Sequence, residues 1–192
     1  MTDLKPALQQ KLHEARAVMR SKVDGLGEYD LRRPMTPTGT NLLGLVKHLA
    51  GLEFGYLGSS LGRPASEPLA WMDDGSVWQG ADMWATPEES SGYLIGLYER
   101  ACAHADATVD ALGLDSPAEV AHWPEHDRHT TLGFLLIRMV GETAQHAGHA
   151  DILRELIDGQ AGSERDPVTA DEDARGSYLA TIQAAADAFA DR

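Results

Sequence analysis

Four segments whose apolar residues repeat every three or four positions constrain the fold of this chain more than any other feature of the sequence. Stretches rich in proline and glycine separate them, so each segment can form a helix of its own. The pattern predicts helices over about residues 6–23, 41–58, 86–112 and 131–157, and a short fifth helix over about 177–190. Because no segment is a convincing strand, the sequence predicts an all-α fold: a four-helix bundle with an additional short C-terminal helix.

The length of 192 residues suits a single domain. We expect residues 1–160 to form the helical bundle, and residues 161–192 to form a polar linker and a helix packed on or beside it. The one cysteine, Cys102, cannot form an internal disulfide and is typical of a buried thiol in a reducing cytoplasm.

The cellular location and the partners are constrained by composition. The N-terminus lacks the basic-then-apolar layout of a secretory signal, and no stretch has the roughly 20 apolar residues that a membrane span needs, so we expect a cytoplasmic protein without a membrane partner. The net charge of −14 indicates a surface that repels phosphate backbones, so we expect no nucleic-acid partner. A homodimer formed through a helix face is compatible with a bundle of this kind.

Two long connections between the predicted helices contain tryptophans and histidines that could either pack on the bundle or bind a ligand. The connection over residues 62–87 is longer than loops in compact domains usually are. It contains Trp71, Trp78 and Trp84. Since no basic residues alternate with the indoles, packing onto the bundle is a better interpretation than a platform for single-stranded nucleic acid. The later connection contains His122, His126 and His129, which we expect to be exposed to solvent.

The residues that can carry chemistry lie on the fourth predicted helix, in the segment GETAQHAGHADILRELIDG. An α-helix turns about 100° per residue, so Glu142, His146 and His149 fall within about 60° of one another. Leu135 and Met139 share or border this arc, and the pattern therefore places all three polar residues on the face that packs against the core. A buried carboxylate is costly unless it is paired or binds a metal ion.

A metal site accounts for these residues if a third ligand is available. Glu142 and His146 are one helical turn apart, so both can contact one ion. His48, at the edge of the inward face of the second predicted helix, is the candidate for the third ligand. Two imidazoles and one carboxylate leave coordination positions open for water or substrate. An alternative stays open, in which Glu142 and His146 form an ion pair within the helix and His48 is a hydrogen-bonded core residue.

Two segments, TGTNLLGLVKHLAGLEFGYLG and GETAQHAGHADILRELIDG, resemble the signature stretches of the DinB-like superfamily. They are most similar to its actinobacterial branch of uncharacterised mini-circle (DUF664) proteins, and WATPEE and LYERAC are similar too, so the resemblance extends to about Gly159. It implies a DinB-like bundle whose metal ligands match His48, Glu142 and His146. The glutamate among them resembles the mycothiol-dependent maleylpyruvate isomerase group.

The resemblance also implies a function. The chain is expected to be a divalent-metal-dependent S-transferase or isomerase, in which a low-molecular-weight thiol of the mycothiol type attacks a small electrophilic substrate. The metal would hold the thiol as a thiolate at neutral pH. Zinc is the first choice, and nickel, iron or manganese suit the same ligands. A non-catalytic, stress-related protein that binds a metal or a small molecule, and a metal-dependent hydrolase, are the alternatives.

Two further residues on the fourth predicted helix are candidates for the site. His149 stands where many of the similar proteins have glutamine, and it is our candidate for a catalytic residue that moves a proton. We favour a role in orienting a ligand or lining the pocket over direct ligation of the metal. Arg138, one turn before Glu142, is expected to be an exposed arginine with its stem on the surface, in preference to a contact with a substrate carboxylate.

Overall fold

Four long helices account for most of the ordered architecture in the computed structural model, which describes residues 3–65, 67–162 and 172–190. The α-helices, in chain order, are α1 (Leu4–Ser21), α2 (Glu28–Arg32), α3 (Leu42–Tyr56), α4 (Ala70–Asp73), α5 (Ser91–Ala111), α6 (Glu125–Arg128), α7 (Leu132–Asp158) and α8 (Glu172–Asp187). Short 3-10 turns occupy Ser59–Leu61, Ser76–Gln79 and Ala81–Met83. The predicted all-α fold is therefore confirmed, with α1, α3, α5 and α7 as the bundle helices.

The ends of the bundle helices follow from local capping chemistry. The Asn41 side chain accepts a hydrogen bond from the Gly44 backbone N–H at 2.7 Å, so α3 begins at Leu42, as the sequence predicts. Thr131 caps α7 in the same way. That helix ends at Gly159, whose φ of 78° is a left-handed conformation that glycine adopts without strain.

The third bundle helix begins later than predicted. The sequence Thr86-Pro87-Glu88-Glu89 is typical of a helix start, but α5 begins at Ser91 with Ser90 as its cap. The Glu89 carboxylate instead accepts the backbone N–H of Thr86 at 2.8 Å and an ion pair from Lys47 of α3, also at 2.8 Å. The acidic residue therefore ties a turn to α3.

Elements inside the connections also differ from the sequence prediction. The turn-rich stretch after α1 contains the one-turn helix α2, and α8 begins at Glu172, five residues before the predicted start. The prediction that no strand occurs was wrong for the connection before α7. Strand β1 (Pro117–Glu119) pairs antiparallel with β2 (His129–Thr131), with Ala118 opposite Thr130. Both strands are three residues long, too short for a period-two pattern to be visible in the sequence.

The helices pack in two pairs. α1 lies chiefly on α7 and α3 chiefly on α5. Buried apolar side chains fill the space between the pairs, with Leu43, Leu97 and Leu153 towards one end and Leu12 and Met139 towards the other. The described side chains of α8 are all exposed, and the division at residue 160 stays a prediction. None of the helices in the described part of the chain is long and apolar enough to cross a membrane.

A buried ion pair crosses this core. Arg16 of α1 is 1% exposed and Glu53 of α3 is 0% exposed. The guanidinium contacts both carboxylate oxygens, with Nε–Oε1 at 2.7 Å and Nη2–Oε2 at 2.6 Å, and it also contacts Asp106 of α5 at 2.6 Å. Burial raises the pKa of Glu53. Cys102 lies beside the pair, and burial raises the pKa of its thiol to about 12, so the predicted buried cysteine is confirmed.

We expect Glu53→Ala to lower the free energy of unfolding by about 3–5 kcal/mol, because the guanidinium of Arg16 would stay buried without its main partner. Urea denaturation followed by circular dichroism measures the change. Glu67→Ala is the matched control, since it removes the glutamate from an exposed pair with Arg100 and should leave the urea midpoint nearly unchanged. Equal losses in the two variants would show that the core does not depend on the buried pair.

Candidate metal centre

The three predicted ligands meet where α3 and α7 approach each other. His48 comes from α3, whereas Glu142 and His146 come from successive turns of α7. One ligand atom from each residue can be chosen so that all three atoms lie within 4.8 Å of one another. The two imidazole rings stand edge to face, with their centroids 5.0 Å apart. The sequence left open whether the two helices are neighbours, and the structure places them side by side.

The orientation of His48 is determined by a residue that the sequence did not single out. Asp82 is buried, and its Oδ2 lies 2.6 Å from Nδ1 of His48. A carboxylate only accepts hydrogen bonds at neutral pH, so the proton of a neutral His48 ring lies on Nδ1. The other nitrogen, Nε2, then has its lone pair free for a metal ion. One acidic residue in an irregular connection carries no periodic signal that could have identified it.

The connection that carries Asp82 is fixed to α3 within the turn before His48. A Cβ atom at Gly44 would collide with the carbonyl oxygen of Met83, so only glycine permits this close approach. The Asn41 side chain donates a hydrogen bond to the same carbonyl oxygen at 3.1 Å. Lys47, which is buried, donates to the carbonyl oxygen of Trp84 at 3.1 Å. The two residues that directly follow the aspartate are therefore held against α3.

Glu142 and His146 are arranged so that both face the same space. Nε2 of His146 lies 3.7 Å from Oε2 of Glu142, while the other carboxylate oxygen accepts a hydrogen bond from Arg138 at 3.1 Å. Burial, and secondarily the charge of nearby His48, lower the pKa of His146 to about 4. The ring of His146 is therefore neutral at physiological pH, which is the form that binds metal ions.

Arg138 of α7 is exposed, as expected, but its guanidinium is also held in place by neighbouring residues. Its guanidinium carbon lies 5.2 Å from the ring centroids of both Tyr56 and Trp123. This stacking, together with the hydrogen bond to Glu142, gives Arg138 one fixed position at the edge of the site.

His149 corrects one expectation from the sequence. It is exposed, whereas the helical arc placed it on the inward face with Glu142 and His146, which are half-buried. The buried arc of α7 is centred nearer Met139 and Ala150, so His149 falls beyond its edge. Its Nδ1 nevertheless lies 3.4 Å from Nδ1 of His146, so it contacts the back of that ring.

The predictions for the tryptophans and histidines of the two connections are confirmed in part. Trp71 is buried, which confirms packing onto the bundle, but Trp78 and Trp84 are exposed, and for these two the packing prediction was wrong. The loop histidines are exposed as expected: His122, His126 and His129. His122 still touches the bundle, because its ring centroid lies 6.0 Å from that of Tyr56.

The three side chains fit a divalent cation by their chemistry. Two imidazole nitrogens and a carboxylate oxygen are ligands that zinc, nickel, iron and manganese accept. Zinc–ligand bonds of about 2.0–2.1 Å in a tetrahedral arrangement place the ligand atoms about 3.3 Å apart. The observed separations, which reach up to 4.8 Å, exceed this value, so the three side chains would have to turn towards a bound ion.

Comparison with known proteins identifies a family whose model matches this chain. A family model described as mycothiol-S-transferase matches residues 7–159, which is most of the chain and includes all three candidate ligands. A search of curated proteins found no match.

We expect Asp82→Asn to weaken zinc binding about 10–100-fold, because the amide can present its donor to His48 and no longer selects the Nδ1–H tautomer. Competition with a chromophoric chelator measures the affinity. Asp73→Asn is the matched control, since this aspartate is exposed on the same connection and should leave the affinity unchanged. Equal zinc affinities in the two variants, at equal thermal stability, would contradict a role of Asp82 in orienting His48.

Proposed function

This chain belongs to the mycothiol-S-transferase family, a DinB-like family, and from that premise we propose that it joins a mycothiol-type thiol to a small electrophilic substrate at a metal centre formed by His48, Glu142 and His146. The observation that carries the proposal is the convergence of these three side chains from two helices within 4.8 Å of one another. An isomerase that uses the thiol as a co-substrate is the variant of this activity in which the thiol is released again.

The chemistry that a bound cation would supply here is the same for several divalent metals. When bound, a divalent ion, with zinc as first choice and nickel, iron or manganese as alternatives, lowers the pKa of a thiol so that the thiolate is present at neutral pH. His48 and His146 present Nε2 as ligand atoms, because their Nδ1 atoms face Asp82 and His149. Glu142 supplies a negative charge that offsets part of the charge of the cation.

We propose His149 as the residue that moves the thiol proton. In the transfer, the S–H bond breaks and a bond forms between sulfur and carbon, while the leaving group departs with the electron pair of its bond to carbon. The proton must reach water, and His149 is exposed on one side while its Nδ1 lies 3.4 Å from the ring of His146 on the other. An imidazole in this position can accept the proton and release it to solvent.

The proposed cellular location and partners follow from membership of the same family. We propose a cytoplasmic location, where a low-molecular-weight thiol stays reduced, and the single buried cysteine agrees with this. The net charge of −14 supports the absence of a nucleic-acid partner. The homodimer expected from the sequence stays a prediction, which size-exclusion chromatography with light scattering can test.

Zinc-loaded protein should accelerate the reaction of mycothiol with 1-chloro-2,4-dinitrobenzene, and His48→Ala should lower kcat/KM at least about 100-fold while the zinc content falls. His126→Ala, at an exposed position on α6, is the control and should retain both zinc and activity. Absorbance of the thioether product and elemental analysis of untagged protein give the two measurements. Tight zinc binding without turnover across a broad panel of electrophiles, or turnover without a thiol, would refute the transferase.

His149→Ala should lower kcat about 10–100-fold and leave the zinc content unchanged, because the residue contacts a ligand without being one. Gln145→Ala, at a neighbouring exposed position on α7, should have the kinetics of the unmodified protein. A parallel loss of zinc and activity in His149→Ala would instead show that His149 supports metal binding, and would contradict a role confined to proton transfer.

A further inference from the structure

A cleft of about 410 Å³ adjoins the candidate metal centre, which is within the range of small-molecule sites. His48 and Asp82 line one part of it, and Tyr56 and His122 line another. One wall is α3, and the connection between α3 and α5 supplies much of the other. A molecule in the cleft therefore lies directly against one of the proposed ligands.

The wall opposite α3 is apolar. It is formed by Trp71, Met72, Val77 and Trp78, and Trp78 is 72% exposed, so its indole is available to a ligand. Among the described residues, no lysine or arginine lines the cleft. The lining includes the carboxyl groups of Asp82 and Glu119, which disfavour an anionic ligand, and an uncharged ligand with a flat apolar surface matches the wall.

The floor of the cleft is flat because two glycines lie on it. Gly51 and Gly55 are one turn apart on the same face of α3, and both line the cleft. Glycine is a poor helix former, so its presence inside a helix needs a reason. A Cβ atom at Gly55 would meet no other atom within 4 Å, which means that no close packing partner requires this glycine. What the missing side chain provides is space in the cleft.

The apolar wall also contains one unsatisfied donor. Trp71 is 5% exposed, and within the described part of the chain its indole Nε1 has no hydrogen-bond partner. The same atom lies 3.7 Å from the position of a Cβ atom at Gly51, next to the floor of the cleft. A buried donor without an acceptor is destabilising, and a ligand with an acceptor atom near Gly51 can satisfy it.

We infer that this cleft binds the electrophilic substrate, and that this substrate belongs to the class of uncharged, flat, apolar molecules that carry a hydrogen-bond acceptor. The inference rests on the proposed function, since it assigns one of the two substrates of that reaction. The thiol, which is hydrophilic, then approaches the metal centre from the exposed side of Glu142 and His146, where His149 lies.

Filling the cleft tests the inference. Gly55→Leu adds a side chain to the floor, and Gly92→Leu is the matched control, because it adds the same side chain to an exposed position on α5 with nothing within 4 Å. We expect Gly55→Leu to raise the KM for 1-chloro-2,4-dinitrobenzene at least about tenfold and to leave the KM for mycothiol unchanged within about twofold. An increase in the KM for mycothiol alone, or no change for either substrate, would overturn the inference.

A binding measurement separates this inference from the proposed function. Equilibrium dialysis with unreactive 1,3-dinitrobenzene and its anionic counterpart 3,5-dinitrobenzoate needs no turnover. The uncharged probe should bind the unmodified protein and Gly92→Leu at least about tenfold more tightly than the anion, and Gly55→Leu should lose this binding. Such binding without thiol-dependent turnover would overturn the transferase and support the cleft. Turnover with equal binding of the two probes would overturn the cleft and support the transferase.

Discussion

The buried ion pair between Arg16 and Glu53 determines how α3 is rotated about its own axis. A carboxylate with 0% exposure has to face its guanidinium, because rotation of the helix would leave both charges buried and unpaired. Glu53 lies five residues after His48, which is about 140° around the helix. The same rotation therefore turns His48 away from the centre of the core towards α7, and turns Gly55 towards the cleft.

The connection between α3 and α5 packs against the face of α3 that carries His48 and Gly55. Asn41, Lys47 and the close approach at Gly44 fix the connection to α3, and Lys47 also lies 4.4 Å above the ring of Trp71. One fixed segment thus supplies both Asp82, which orients the candidate ligand His48, and Trp71, which lines the cleft. The orientation of this candidate ligand and the shape of the proposed substrate site depend on the same contacts.

The sequence predicted the features that repeat or that have strong local signals. Helical periodicity located α3 and α7, and the spacing of Glu142 and His146 identified two candidate ligands one turn apart. Prediction from the sequence failed where tertiary contacts override the local conformational preference of a segment. Glu89 looks like part of a helix start, yet its ion pair with Lys47 holds it in a turn, and the contact between Asp82 and His48 spans 34 residues without any periodic pattern.

In the proposed site, the long helices carry the candidate metal ligands and the connection carries the residues that select the substrate. His48, Glu142 and His146 lie on long helices whose positions are fixed by the packed core, so the ligand geometry tolerates little change. Trp71 and Trp78 lie on a connection with only short helical turns, where substitutions reshape the cleft without moving a ligand. From the proposed function we expect that substitutions in this connection, and at the glycines of α3 that face it, change which electrophile is accepted without changing the three candidate ligands.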